Sequence, residues 1–194
     1  MKIRNLYLAS DSKARKELLK ILGLNFKVIP TYVKEEKQKP NLSYAELVKR
    51  NALKKAMFAA EKLKKGIIIG ADTIIVQDKI VYGKPKDLKE AKLMLKKLSQ
   101  KAQWVYTGVA IIDKNKNKLL VDYEKAKVFM DELTDEEIEN YFSLISPTKL
   151  AGGFDIQGKG AFFIRRIEGC FYNIVGLPLR KIYQMFKKLE IEVF

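Results

Sequence analysis

GIIIGADTIIVQDKIVY, residues 66–82, decides how this chain is read. Ile67–Ile69 is a continuous apolar run of the kind that lies buried in a sheet, and Gly66 stops whatever precedes it. Ile74–Val76 and Ile80–Tyr82 bracket Gln77-Asp78-Lys79 as a hairpin. The polar stretch Gly70–Thr73 is therefore wedged between buried strands, with Asp72 at the exit of the first. A carboxylate there is costly unless it is paired, hydrogen-bonded or on a metal, which makes Asp72 the foremost candidate for a general base or metal ligand. A structural turn Asp would use the same chemistry.

Strands and helices mix on both sides of this stretch. Toward the N-terminus, Asn5–Ser10 reads as a strand, Ala14–Leu22 as a helix stopped by Gly23, and Phe26–Pro30 as a second strand. Lys34–Pro40 is a charged loop, and Ser43 with Glu46 opens a helix running on to Leu63. Toward the C-terminus, Asp87 with Glu90 opens a helix through Leu98, and Trp104–Ile112 and Lys118–Met130 form long strands around the turn Lys114–Asn117. Thr134 with Glu137 starts a helix to Phe142, and Pro147 closes that region. Gly152–Gly160 carries four glycines, Ala161–Ile167 reads as a strand, Phe171–Val175 as another apolar piece, and Leu179–Leu189 as an amphipathic helix after Pro178. With no internal repeat and no linker, the expectation is one domain over residues 1–194, an α/β fold with a mixed central sheet and a cleft.

Composition narrows the chemistry. Of 194 residues 47% are apolar and 31% charged, which excludes a disordered chain. No apolar run approaches the roughly 18 residues of a membrane span. The first ten residues carry Lys2 and Arg4 but no signal-like stretch, so a cytoplasmic protein is expected. Zero histidines and the single Cys170 remove Ser-His-Asp triads, His-ligated metals, intrachain disulfides and Cys-rich zinc sites. What remains is Asp, Glu, Lys, Arg, Ser, Thr and Tyr, with an oxygen-liganded divalent cation if any. The net charge of +15 favours a polyanionic partner: nucleic acid, an anionic surface or a phosphorylated small molecule. Only 6 of the 38 basic residues are Arg, which speaks against a base-reading surface, and no aromatic-rich basic ribbon is visible. A lysine coat serving solubility explains the same count.

Three further segments could carry chemistry. Ser10-Asp11-Ser12-Lys13-Ala14-Arg15-Lys16 lies between a strand and a helix, where free N–H groups, hydroxyls and a guanidinium suit phosphate, although Ser12 reads equally as a helix N-cap. No P-loop pattern is present. Tyr82-Gly83-Lys84-Pro85 fixes Lys84 on a stiff loop as an anion clamp, or simply as a surface lysine beside a turn. In Gly152-Gly153-Phe154-Asp155-Ile156-Gln157-Gly158-Lys159-Gly160 the glycines allow close approach to a ligand, and Gln157 offers an amide that could read a nucleobase edge. Glu35, Lys55, Tyr106-Thr107-Gly108 and Asn173–Leu179 are mute singly.

Taken in order, LYLASDSKARKELLKILG (6–23), IGADTIIV (69–76), GKPKD (83–87), VYTGVA (105–110), AGGFDIQGKGA (151–161) and YNIVGLPL (172–179) resemble the Maf nucleoside triphosphate pyrophosphatases. The resemblance implies two lobes around a deep cleft, as in the ITPase-like folds, and hydrolysis of a nucleoside triphosphate to monophosphate and pyrophosphate with Mg²⁺ or Mn²⁺. It implies that Asp72 is the proton acceptor and that Ser10, Arg15, Glu35, Lys55 and Lys84 are polar residues of the cleft; the chemistry of the reaction adds a cation held chiefly by the triphosphate and by a carboxylate such as Glu35 or Asp72. Thr73 and Gln157 match the branch that prefers dTTP and UTP. Where the family reads S-P-R-R, this chain reads Ser12-Lys13-Ala14-Arg15, so an Arg at a specificity position becomes Ala14. The expected partner is the nucleotide, with no sequence-specific nucleic acid and no membrane, and a homodimer as the assembly to test. Two other readings remain: a basic nucleic-acid-binding or cell-division protein with secondary hydrolase activity, and a pyrophosphatase for a purine or modified nucleotide.

Overall fold

The computed structural model describes residues 5–193, so Lys2 and Arg4 lie outside the described residues. Its strands are β1 (Leu6–Ala9), β2 (Phe26–Val28), β3 (Ile67–Gln77), β4 (Ile80–Tyr82), β5 (Gln103–Asp113), β6 (Lys118–Met130) and β7 (Ile164–Glu168). The helices are α1 (Lys13–Ile21), α2 (Tyr44–Glu61), α3 (Leu88–Gln100), α4 (Asp135–Ser143), α5 (Phe171–Val175) and α6 (Leu179–Lys188). The strands form one mixed sheet in the order β2-β1-β3-β5-β6-β7, with β4 on β3. β1 pairs parallel with β2 and with β3, and α1 and α2 make the crossovers that parallel pairs require. β4 on β3 and β7 on β6 are antiparallel. The expected mixed α/β class is what the chain adopts.

The chain divides into two compact units interleaved in sequence. The first takes residues up to Thr73, Thr107–Glu124 and Val175 onward. There the sheet is covered on both faces, as the all-apolar run Ile67–Ile69 requires. Ile67, Ile69 and Ala71 pack with Leu18 and Leu19 of α1 and with Ile182, Met185 and Phe186 of α6. Ile68, between them, points the other way into Ala52, Ala56 and Ala59 of α2. The alanines keep α2 close, and two glycines let it come closer. A Cβ on Gly70 would stand 2.4 Å from the Ala52 carbonyl oxygen, and one on Gly108 would stand 2.2 Å from that of Val48.

The second unit takes Ile74–Tyr106 and Lys125–Ile174. Its core gathers Ala91, Leu95 and Leu98 of α3, Ile138, Tyr141 and Phe142 of α4, and Val105, Val128 and Met130 of the sheet. Helix starts follow the sequence signals: Ser43, Asp87 and Thr134 accept from the N–H three residues on, and Thr134 with Glu137 completes a reciprocal capping box.

Three local readings change. Gly70–Thr73 is not a break between strands but the middle of the eleven-residue β3, so Asp72 sits mid-strand. The hairpin turn is Asp78-Lys79, both at positive φ, while Gln77 stays in the strand and donates its side-chain amide to the carbonyls of Leu98 and Lys101. Lys159–Phe163 coils as 3₁₀ helix before β7 begins at Ile164, because Gly158 and Gly160 close a loop ahead of it.

Candidate active site

Alternation along β3 sends Asp72 and Thr73 to opposite faces, and each meets a cation carried by a helix. Asp72, 4% exposed, faces α2. Asn51 and Lys55 stand one turn apart in the buried stripe of that helix. Lys55 Nζ lies 2.6 Å from Asp72 Oδ1 and 2.5 Å from Glu35 Oε1. The Asn51 amide donates to Asp72 Oδ2 at 3.1 Å and to the Glu36 carbonyl at 3.2 Å, while its Oδ1 accepts the Glu36 N–H at 2.7 Å. One amide thus fixes both the buried carboxylate and the loop that presents Glu35. Burial pushes the Glu35 carboxyl up, but Lys55, Arg15 and a hydrogen bond with Asp72 outweigh it and hold Glu35 below the ordinary range.

Thr73 faces Arg15 of α1. Ser12 is the N-cap of this helix, its hydroxyl accepting from the Arg15 N–H, so the capping reading of Ser12 holds and Arg15 falls in the first turn. The guanidinium donates Nε to the Gly176 carbonyl at 2.8 Å, Nη1 to Ser10 Oγ at 3.2 Å and Nη2 to Thr73 Oγ1 at 3.0 Å. Thr73 Oγ1 also bonds Thr107 Oγ1 at 2.9 Å. These partners are all neutral, and two guanidinium protons remain unspent. Burial pushes the Arg15 pKa below its ordinary value, with the Asp72 and Glu35 charges pulling the other way. Gly176, at φ +110°, leaves room for the group: a Cβ there would stand 3.2 Å from Thr73 Oγ1 and 3.5 Å from Arg15 Nε.

Of the residues singled out from sequence, Glu35, Lys55 and Asp72 come together on one side of β3, and Ser10, Arg15 and Thr73 on the other. Ala14 is half-buried beside Arg15 on α1. Lys84 and Gln157 belong to the second unit, both exposed on loops. Those loops are tied within that unit by the Gly152 N–H, which donates to the Gly83 carbonyl at 2.9 Å. The glycines around Gln157 do something other than expected. A Cβ on Gly158 would fall 2.1 Å from Asp155 Oδ2 and one on Gly160 would fall 2.3 Å from the Asp155 carbonyl oxygen, so they let the loop wrap its own Asp155 rather than a ligand. The Asp155 carboxylate accepts from the Tyr141 hydroxyl at 2.8 Å and the Gly160 N–H at 3.0 Å.

Sequence reasoning missed Asn51, the hydroxyl of Thr107 and the carbonyl of Gly176. Asn51 had a signal: two polar residues at i and i+4 inside an apolar stripe mark a helix that carries a buried polar cluster. The other two had none, because a carbonyl has no sequence signature and Thr in a strand is ordinary.

Among the described residues no group of three or more His, Cys, Asp or Glu converges as a metal site, and no helix is long and apolar enough to cross a membrane. Two carboxylates do converge, Glu35 and Asp72, with the Lys55 ammonium between them. Both are oxygen donors of the kind a hard divalent cation takes, and the ammonium between them occupies the shared space.

Residues 5–189 match the family described as Maf-like protein. A "dTTP/UTP pyrophosphatase" of Dictyoglomus thermophilum is 41% identical over 186 residues, covering 96% of each chain. A protein of the same name from Carboxydothermus hydrogenoformans is 43% identical over 183 residues, 94% of this chain and 97% of its own. Among solved structures, the Staphylococcus aureus Ham1 protein superposes with a TM-score of 0.46 at 14% identity, over 66% of this chain and 73% of that one.

Proposed function

The chain belongs to the Maf family, and from that premise we propose that it is a nucleoside triphosphate pyrophosphatase, cutting dTTP and UTP between the α and β phosphates. The observation that carries this reading is the buried Asp72 carboxylate held between Lys55 and Asn51, beside a buried Arg15 bonded only to neutral groups. A buried cation without a carboxylate partner is stabilised by an anion that arrives. The two unspent guanidinium protons match two phosphate oxygens.

In this scheme Asp72 is the proton acceptor for the attacking water. Asn51 and Lys55 fix the direction of its lone pairs, so that the water is aimed in line at the α phosphorus. Arg15 and Lys55 spread the charge that gathers on the departing pyrophosphate, and Ser10 and Thr73 hold Arg15 at the angle this requires. Glu35 and Asp72 are the carboxylates that would hold Mg²⁺ or Mn²⁺. When bound, that cation supplies further charge neutralisation on the phosphates. Thr73 has bonding capacity for one more partner after Arg15 and Thr107, which suits it to select the edge of uracil or thymine. Ala14, in place of an arginine, removes a guanidinium and loosens that selection. We place the enzyme in the cytoplasm, acting as one catalytic domain.

A panel of nucleoside triphosphates assayed with and without Mg²⁺ tests the reaction. Monophosphate and pyrophosphate from dTTP or UTP are the expected products. Diphosphate and inorganic phosphate would overturn the assignment.

A further inference from the structure

Sequence alone shows no aromatic-rich basic ribbon, yet the sheet of the second unit assembles one from the consecutive strands β5 and β6 and the distant β7. Along β6, Ala126, Val128 and Met130 are buried, while Lys125, Lys127 and Phe129 alternate with them onto the opposite face. Trp104 of β5 joins that face, with Lys125 Nζ 4.9 Å and Lys127 Nζ 5.5 Å from its ring centre. Arg166 of β7 pairs with Phe129 across the ladder and lays its guanidinium 4.1 Å over the Phe129 ring, where Lys127 Nζ also stands at 5.1 Å. Across the ladder Glu168 lies opposite Lys127 and bonds Arg166 at 3.0 Å.

Lysines 125 and 127 and Arg166 share the space over two half-buried aromatic rings. In water such cation–π contacts are individually weak, so they do not by themselves explain why two large rings stand on the face opposite the core residues Val105, Val128 and Met130. The group has the makeup of a stacking platform. Aromatic rings accept bases, and the flexible cations that cover them can swing outward to the phosphates a few ångströms away. A duplex hides its base faces and offers only its phosphates to such a surface. An unpaired strand offers both, and the chain's net charge of +15 raises the local concentration of any polyanion.

We infer that this face of β5, β6 and β7 is a docking platform for single-stranded nucleic acid, bound without regard to sequence. Trp104 and Phe129 stack with bases, and Lys125, Lys127 and Arg166 pair with phosphates. The platform is a function separate from triphosphate hydrolysis and does not depend on that assignment.

Trp104 is the protein's only tryptophan, so its fluorescence reports on the platform directly. Titration with a short oligothymidylate should quench it, with a dissociation constant on the order of 10⁻⁵ M near physiological salt. Three released counterions predict a slope of about −2 for log K against log salt. Replacing both lysines (Lys125→Glu with Lys127→Glu) should weaken binding of a labelled oligothymidylate at least about tenfold, and Phe129→Ser several-fold, with melting temperature and pyrophosphate release unchanged for the lysine pair. Asp72→Asn should bind the oligonucleotide as the natural protein does. Four results would overturn the platform: no quenching at low salt, equal affinity for a duplex, competition by dTTP in the Asp72→Asn protein, or a sedimentation-detected dimer that the lysine replacements dissociate. The last would assign the face to a second copy of this chain.

Discussion

Asp72 and Thr73 are neighbours in sequence and face opposite sides of one strand, and the two buried cations they meet are balanced in opposite ways. Lys55 stands between two carboxylates and is locally neutralised. Arg15 reaches a carbonyl and two hydroxyls and carries its charge uncompensated by any direct partner. The difference separates two tasks. The Asp72 side is a preorganised acid–base cluster that already contains its counter-charge. In the proposed scheme the Thr73 side is a receptor whose last partner is supplied by the substrate, its desolvation cost being recovered when an anion binds. Strand alternation places two such environments within one residue of each other and denies them a direct ion pair, although the Asp72 and Glu35 charges still act on Arg15 across the strand.

The comparison is broken most directly at Asp72. Asp72→Asn keeps the size and hydrogen bonding but leaves no basic carboxylate, and turnover should fall by about 10²-fold or more with the melting temperature little changed. A large loss of melting temperature with near-normal turnover would make Asp72 a structural residue. Next comes Arg15→Lys, which preserves the charge but loses the planar fork. KM for the triphosphate should rise about tenfold while kcat falls less, because a binding interaction has been removed. Equal loss in kcat and kcat/KM would move Arg15 to the transition state instead.

Asn51→Ala sharpens the Asp72 side by asking what holds the carboxylate still. It leaves Asp72 and the Glu36 backbone short of three hydrogen bonds, so we expect about 1–3 kcal/mol of lost stability and a several-fold lower kcat with KM unchanged. Stability loss without any change in kcat would make Asn51 a loop anchor only. The smallest effect belongs to Glu35. Its carboxyl titrates below the ordinary value of 4.5, so the stability it contributes is fully present above that pH and is lost as pH falls through the depressed folded value. Glu35→Gln should therefore lower the melting temperature slightly at neutral pH, by the equivalent of at most about 1 kcal/mol for so exposed a pair, and the gap should close in acid. A gap independent of pH would show that the carboxylate charge contributes nothing.

Element types were largely legible because the apolar periods are strong. Ile67–Ile69 reads as a doubly covered strand, and the caps at Ser43, Asp87 and Thr134 place three helix starts. The stretch Gly70–Thr73 misleads because local polarity looks like a turn. Only the arrival of α2, admitted by Gly70 and Gly108, supplies the partners that let a charged residue remain mid-strand. For the same reason Asp72 was visible as a costly carboxylate while its setting was not. Lys55 and Asn51 are invisible singly, since their meaning lies in a helix packed across the strand. The Gly-rich loop carried the opposite error. Its glycines looked like room for a ligand, and Gly158 and Gly160 turn out to make room for Asp155.

The bond from Arg15 to the Gly176 carbonyl joins residues 161 positions apart, and it sets the order in which this protein becomes competent during synthesis. Nearly all of the chain must leave the ribosome before the guanidinium finds its third acceptor. At the usual pace of about 5–20 residues per second, that is a delay of roughly 8–30 s after the first strand appears. Until then Arg15 is a loosely held cation on an unfinished sheet, so a nascent chain would be poorly equipped to capture the triphosphates that fill the cell around it. Chains released before residue 176 should accumulate as proteins that fold in part and bind nucleotide weakly, which a series of stalled or truncated chains can measure directly.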